Sequence, residues 1–108
     1  NTTPLPPTPS EPNETTDLRC VISGNTNLKN GYRRTYTVAF IDKGGNTVDW
    51  KKIKYCWYIV SDFNVGQNLY ENKIDLFVDN EELIGSSFLL QVFIKNQIVS
   101  ELNINIQE

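Results

Sequence analysis

The stretch that decides the fold spans residues Ile53–Val60 and reads IKYCWYIV. Its residues are mostly β-branched and aromatic, with no Gly, Pro, Asn or Asp, which is the composition of a pleated, half-buried strand. Because alternate side chains of a strand face opposite sides, Trp57 shares one face with Ile59, whereas Cys56 and Tyr58 share the other. We therefore predict a β-strand here, with Trp57 as the central core residue of a small β domain.

The 108-residue chain is long enough for one domain, and its first sixteen residues differ in composition from the rest. Residues 1–16 read NTTPLPPTPSEPNETT, and a segment so rich in Pro and Thr cannot bury enough apolar surface to offset its ordering entropy. We expect an extended linker over residues 1–16 and a folded domain over residues 17–108. The alternative for Pro4–Pro7, which match PxxP, is a proline-rich docking motif.

The composition excludes several function classes. Apolar residues make up 39% of the chain, which suffices for a core, and the net charge of −3 disfavours a nucleic-acid partner. The chain contains no histidine, so the commonest general base and metal ligand is missing. No apolar run reaches the roughly 18 residues of a membrane-spanning helix. We expect no catalysis, no cofactor, no nucleic-acid partner and no membrane insertion.

Turn-rich segments divide the domain into short runs with strand character. The predicted strands, besides residues 53–60, are Asp17–Ser23, Tyr32–Asp42, Lys73–Asp79, Ser87–Lys95 and Ile98–Gln107. The segments between them are predicted as a turn over Gly24–Gly31, a polar connection over Ser61–Asn72, a corner with a helical turn over Asn80–Gly85 and a two-residue turn at Asn96-Gln97. These six runs, with Thr47–Lys52 leading into the Trp57 strand, give about seven strands, and that number at this spacing is typical of an all-β, immunoglobulin-like antiparallel β-sandwich. A small closed barrel is the alternative fold.

Alternation within these strands predicts which side chains form the core. The inward-facing residues around Trp57 are predicted to be Val38, Phe40, Leu76, Leu90 and Val92. In the last strand, Ile98 shares the face of Leu102, Ile104 and Ile106 and is predicted to point inward with them.

Cys20 and Cys56 allow one disulfide, but their strand faces argue against it. Cys20 shares the inward face of Ile22, whereas Cys56 lies opposite Trp57 and is expected to face outward. Thiols on opposite sides of a sheet cannot meet disulfide geometry. We favour two free thiols over a bridge.

The candidate binding surface combines aromatic and basic residues: Trp50, Lys51, Lys52 and Tyr58. Exposed aromatic rings can stack on sugars. A positive patch for an anionic polymer such as a teichoic-acid-like glycan could be formed by the basic residues Arg33, Arg34, Lys51, Lys52 and Lys54. The alternatives are a Trp50 packed against a loop and lysines that only solvate a strand edge. The acidic corner formed by Asp75, Asp79, Glu81 and Glu82 is interpreted as a solvated rim, since its spacing fits no calcium loop.

Several short motifs occur in an order that resembles a known family. They are CVISG (20–24), LKNG (28–31), TYTVAFID (35–42), GNTV (45–48), Trp57 and NEELIGSSF (80–88). This pattern resembles the bacterial Ig-like (Big-type) modules of tailed-phage structural proteins, such as head–tail joining and tail proteins of phages of low-GC Gram-positive bacteria. The chain departs from the pattern at Lys51-Lys52, where those modules often carry a proline.

The resemblance implies a non-enzymatic accessory module on the virion surface. Its implied partners are the parent virion protein, through the N-terminal linker, and weakly bound carbohydrate of the host cell wall. The alternative is a stalk or adhesion module of a secreted bacterial surface protein, which would be extracellular or attached to the cell surface.

Overall fold

The computed structural model describes residues 18–108. The predicted linker, residues 1–16, lies outside the described residues. Within residues 18–108 there are nine strands, and two single-turn 3₁₀ helices span Trp50–Lys52 and Glu81–Leu83. The strands are β1 (Arg19–Ser23), β2 (Asn27–Lys29), β3 (Arg33–Ile41), β4 (Thr47–Val48), β5 (Cys56–Val60), β6 (Gly66–Tyr70), β7 (Lys73–Phe77), β8 (Ser87–Ile94) and β9 (Gln97–Gln107).

The strands form two sheets that enclose one core. One sheet has the order β1-β3-β7-β6, with β4 paired to β3, and the other has the order β2-β9-β8-β5. All pairs are antiparallel except β2 with β9. In the part of the chain that the structure describes, each sheet has two edge strands and neither sheet closes on itself, so the predicted immunoglobulin-like sandwich is confirmed and the closed barrel is wrong. The prediction of about seven strands was too low.

The core consists of the inward-facing side chains of both sheets. Five of the residues predicted for it have no exposed surface: Val38, Phe40, Leu76, Leu90 and Val92. They divide into two adjoining clusters, with Val38, Phe40 and Val92 in one and Leu76 and Leu90 in the other. Burial of such alternate aliphatic and aromatic side chains is the main favourable contribution to folding.

Trp57 is not the central core residue that its sequence context predicted. It lies on β5, which forms an edge of its sheet, and opposite Val92 of β8. Its side chain is only half-buried and packs against both clusters. The predicted faces of β5 are nevertheless present, since Trp57 and Ile59 pack on the core while Cys56 and Tyr58 are exposed. Trp57 therefore joins the two clusters at the rim of the sandwich.

Two strands formed where the sequence predicted turns or loops. β2 lies inside the predicted turn 24–31 and pairs with the end of β9, and its Leu28 is fully buried. β6 lies inside the predicted polar connection 61–72 and pairs with β7, although all of its residues are exposed. The corner at 80–85 was predicted correctly, since the 3₁₀ helix Glu81–Leu83 forms there.

The β8–β9 hairpin was predicted, but its register differs in detail. Its turn centres on Lys95 and Asn96, both at positive φ, one residue before the predicted position. A bulge at Val92/Phe93 then shifts the alternation of β9. Ile98 consequently pairs with Phe93 and is 52% exposed, so its predicted inward position is wrong.

Candidate functional site

An open cavity of about 980 Å³ lies at one end of the sandwich. It forms where several chain segments end or turn: the β3–β4 turn, the segment that follows the 3₁₀ helix Trp50–Lys52, and the β8–β9 turn. Apolar side chains from both sheets line it, namely Leu18, Val48, Ile53 and Ile94. Since Val48, Ile53 and Ile94 belong to or pack on the core, the apolar lining continues directly into the core.

Four lysines surround this apolar lining: Lys43, Lys52, Lys54 and Lys95. All four are exposed. We call them the lysine ring. Among residues 18–108, the ion pair within 4.0 Å joins Lys73 to Glu71, so no lysine of the ring is paired with a carboxylate of the described residues.

Asp42 is the acidic residue of the cavity lining, and its carboxylate already has partners. Its Oδ1 accepts hydrogen bonds from the backbone N–H groups of Gly44 and Asn46, each at 2.9 Å. These bonds close the turn after β3 and place Lys43 at the cavity rim. The Asp42 carboxylate is therefore engaged in stabilising the turn. With four lysines against this one carboxylate, the cavity lining carries an excess of positive charge.

The 3₁₀ helix Trp50–Lys52 directs its three residues to different surroundings, and only Lys52 reaches the cavity. The Asp49 side chain caps the helix by accepting from the N–H of Lys51 at 3.1 Å. Trp50 is half-buried and packs on the cluster of Val38, Phe40, Val92 and Ile94, so it anchors the helix. Lys51 is exposed and does not line the cavity, whereas Lys52 does.

A smaller depression of about 390 Å³ continues the cavity around the edge of the sheet. It shares Ile53, Lys54 and Lys95 with the larger cavity and extends to Phe93. The exposed ring of Tyr58 meets the Phe93 ring edge-on, with 5.8 Å between centroids. The predicted residues Lys52 and Tyr58 thus lie on one connected surface, while Trp50 belongs to the packing beneath it.

Lys43 and Lys95 of the lysine ring were not predicted from the sequence, although a signal for them exists. Lys43 comes shortly after β3, Lys54 just before β5, and Lys95 directly after β8. In an antiparallel sandwich these strand ends meet at the same end of the molecule. Assigning each lysine to the strand end beside it would have predicted that these lysines lie close together in the fold.

Both cysteines are free, as predicted. Cys20 is buried, and this burial raises the pKa of its thiol to about 11, against the smaller opposing effect of a hydrogen bond with Ser100. A thiol so protonated at neutral pH is a poor nucleophile. Cys56 is exposed on the outer face of β5.

Asp75, in the predicted acidic corner, has a structural role in the sheet. Asp75 accepts hydrogen bonds from the hydroxyl groups of Thr35 at 2.7 Å and Tyr70 at 3.0 Å, which tie three neighbouring strands together. Within residues 18–108, no group of three His, Cys, Asp or Glu side chains is placed to hold a metal ion. The same residues include no helix with the length and hydrophobicity needed to cross a membrane.

Comparison with known proteins supports the fold and leaves the ligand open. No protein-family model and no curated protein matches the chain. A solved structure described as the Lin-41 filamin domain is similar, with a TM-score of 0.55, 15% sequence identity, and coverage of 82% of this chain and 91% of that one. At this identity the likeness bears on the fold alone. The chain thus has an immunoglobulin-like β-sandwich fold, the architecture it shares with that filamin domain.

Proposed function

We propose that this chain is a non-catalytic Ig-like module of a phage virion structural protein, attached through its N-terminal segment and displayed on the virion surface. There it binds an anionic polymer of the host cell wall, weakly, at the cavity surrounded by the lysine ring. The cavity supplies the ligand contacts, and the sandwich serves as the rigid support that positions them.

The observation that carries this proposal is the local charge of the cavity. The whole chain has a net charge of −3, yet four lysines and a single carboxylate, already hydrogen-bonded, line this one cavity. Converging like charges repel one another, so such a cluster is most stable with an anion bound among them. Lysine ammonium groups bind phosphate as flexible point charges, and the aliphatic lysine stems extend the apolar lining.

The neighbouring aromatic surface fits the uncharged part of such a polymer. Phe93 lies with Lys54 and Lys95 in the lining of the smaller depression, and Tyr58 extends this surface through its edge-on contact with the Phe93 ring. A sugar ring packs on an aromatic face while adjacent phosphates or carboxylates reach the lysines. Exposed ion pairs are individually weak and screened by salt, so we expect modest affinity that falls as ionic strength rises.

The assignment to a virion rests on the motifs of residues 20–88, which resemble Big-type phage modules, together with the Ig-like fold. Mass spectrometry of purified virions tests it directly. Peptides of this chain, joined to those of a capsid or tail protein, are the expected result. Recovery of the chain only from the host cell surface would overturn the virion assignment and favour the bacterial adhesion module.

Binding to purified cell walls of a low-GC Gram-positive host tests the ligand assignment. We expect the chain to sediment with intact walls but not with walls from which phosphodiester-linked polymers have been removed by hydrofluoric acid. A variant combining Lys52→Ala, Lys54→Ala and Lys95→Ala should bind at least about tenfold less, since each lysine near an anionic surface contributes about 1 kcal/mol.

The matched control is Lys29→Ala. Lys29 pairs with the far end of β9, whereas Lys95 lies at its beginning, so the two lysines occupy opposite ends of the sandwich. The control should bind like the parent chain. The control removes one charge and the cavity variant three, so a loss of binding free energy in the control that is a third of the loss in the cavity variant would reduce the effect to net charge. Full binding by the cavity variant would exclude the cavity.

A further inference from the structure

We propose that β5 is an interface for a second copy of this chain. Two β5 strands pair antiparallel across a two-fold axis at Tyr58, and the two four-stranded sheets join into one continuous sheet. This inference goes beyond the proposed function, and its tests need no wall polymer.

β5 is an edge strand without the usual protection against pairing. It ends the order β2-β9-β8-β5, so within residues 18–108 its other side has no strand partner. Its sequence, CWYIV, contains no charge, proline or glycine, the features with which sheet edges usually avoid other chains. The opposite sheet differs, because its edge strand β6 starts at Gly66 and carries Gln67 and Asn68.

The sequence on both sides of Tyr58 is complementary to itself in antiparallel register. A two-fold axis at Tyr58 places Cys56 opposite the partner's Val60 and Lys54 opposite the partner's Asp62. Cys56, Tyr58 and Val60 share the outer face of β5 by strand alternation, Lys54 and Asp62 flank the strand just beyond its two ends, and all five are exposed in the single chain. Opposite charges therefore meet at both ends of the paired strands, and apolar residues meet between them.

Pairing in this register also covers exposed apolar surface. Tyr58 is 56% exposed and Val60 is 42% exposed on the outer face of β5. The strands are short, so the interface falls below the roughly 1,200 Å² of a standard stable complex. We expect a weak dimer that forms only at high local concentration, for example where many copies of the chain are held close together.

A charge exchange tests the register. In sedimentation velocity from low micromolar to near-millimolar concentration, the parent chain should shift from monomer to dimer. Asp62→Lys should abolish the shift, since two lysines then face each other at both ends, and adding Lys54→Asp should restore it. A dimer that persists in Asp62→Lys, a double variant that stays monomeric, or a parent chain that never dimerises would each overturn the proposal.

A crosslink tests the same register independently of charge. Residues directly opposite in an antiparallel pair have Cα atoms about 4.5–5.5 Å apart, within disulfide range. Val60→Cys should therefore form a covalent dimer with the partner's Cys56 on oxidation by diamide. Within one chain, residues 56 and 60 are four positions apart, or about 13 Å, which excludes an internal bridge.

The control is Leu69→Cys, which puts a thiol at an exposed position of the other edge strand, β6. It should crosslink no more than the parent chain, whose two Cys56 residues are also about 13 Å apart in the proposed register. If Val60→Cys crosslinks no faster than Leu69→Cys, β5 does not pair as proposed. Unchanged circular dichroism spectra establish that each variant remains folded.

Discussion

Substituting Gly24 by alanine should destabilise the sandwich more than any comparable glycine substitution. A Cβ at Gly24 would lie 2.2 Å from Cδ2 and 2.8 Å from Cε2 of Tyr36. The Tyr36 ring cannot move aside easily, because it is fully buried and its hydroxyl donates to the Asn25 carbonyl at 2.5 Å. Overpacking of this kind costs about 1–3 kcal/mol, and a non-glycine residue at positive φ adds about 1 kcal/mol. We therefore expect Gly24→Ala to lower the free energy of unfolding by about 2–4 kcal/mol.

Gly45→Ala is the matched control for the backbone contribution. Gly45 also has positive φ, at 85°, but no atom lies within 4 Å of its added Cβ. This variant should lose only about 1 kcal/mol. Urea unfolding followed by tryptophan fluorescence measures both variants. If they lose equal stability, the contact with Tyr36 is not what restricts position 24.

A double variant separates the clash from other causes. Replacing the ring in Gly24→Ala/Tyr36→Leu removes the atoms that the new Cβ meets. The two substitutions should then cost clearly less together than the sum of their separate costs, as expected for residues in contact. Strict additivity would contradict the proposed clash.

Three further predictions concern the core and the thiols. Burial raises the pKa of Cys20 from 9.0 to about 11 and that of Tyr36 from 10.0 to about 12, so the unfolded chain ionises first. The free energy of unfolding should be constant just below pH 9 and fall as the pH rises from 9 towards 12. In urea titrations of Cys20→Ala this fall should begin only near pH 10, where Tyr36 of the unfolded chain starts to ionise. With iodoacetamide at neutral pH, mass spectrometry should find Cys56 labelled quickly and Cys20 only after unfolding; rapid double labelling would contradict the burial of Cys20. Leu90→Ala should cost about 3 kcal/mol in urea unfolding, since Leu90 is fully buried, and a loss below about 1 kcal/mol would place it outside the core.

The strands with strong alternation were predictable from sequence, and the strands without it were not. β3 alternates apolar with other residues over most of its length, β8 carries Phe88, Leu90, Val92 and Ile94 at every second position, and the inward faces of both strands are buried as expected. β6 is exposed on both sides, so it has no hydrophobic period to detect and depends on its pairing with β7. β2 has three residues and exists because β9 provides a partner distant in sequence.

Two errors came from treating strands as uniform. Trp57 lies in the most strand-like stretch of the chain, but β5 ends a sheet, and an edge position leaves a large side chain half-exposed. Ile98 follows the period of β9 but lies beyond the bulge, where the alternation reverses. Sheet order and bulges arise from contacts between distant segments, which local alternation does not encode.

The candidate site was only partly predicted, because it too depends on contacts between segments distant in sequence. Lys52 and Tyr58 were identified as basic and aromatic surface residues, and both lie on the connected surface described above. Lys43 and Lys95 were missed because they come from turns far apart in sequence that meet only in the folded sandwich. Trp50 was a candidate for the surface with a packed position as the alternative, and its half-buried indole packs on the core.

Binding at the lysine cavity is the central claim, and amide chemical shifts test it most directly. A ¹⁵N-labelled chain is titrated with a soluble polyol-phosphate oligomer from the host wall. We expect shifts confined to the cavity segments 42–46, 50–54 and 94–96, with smaller ones at Tyr58, all diminishing as salt is added. Shifts centred on Lys29 and the opposite end of the sandwich, or no shifts at high oligomer concentration, would contradict it.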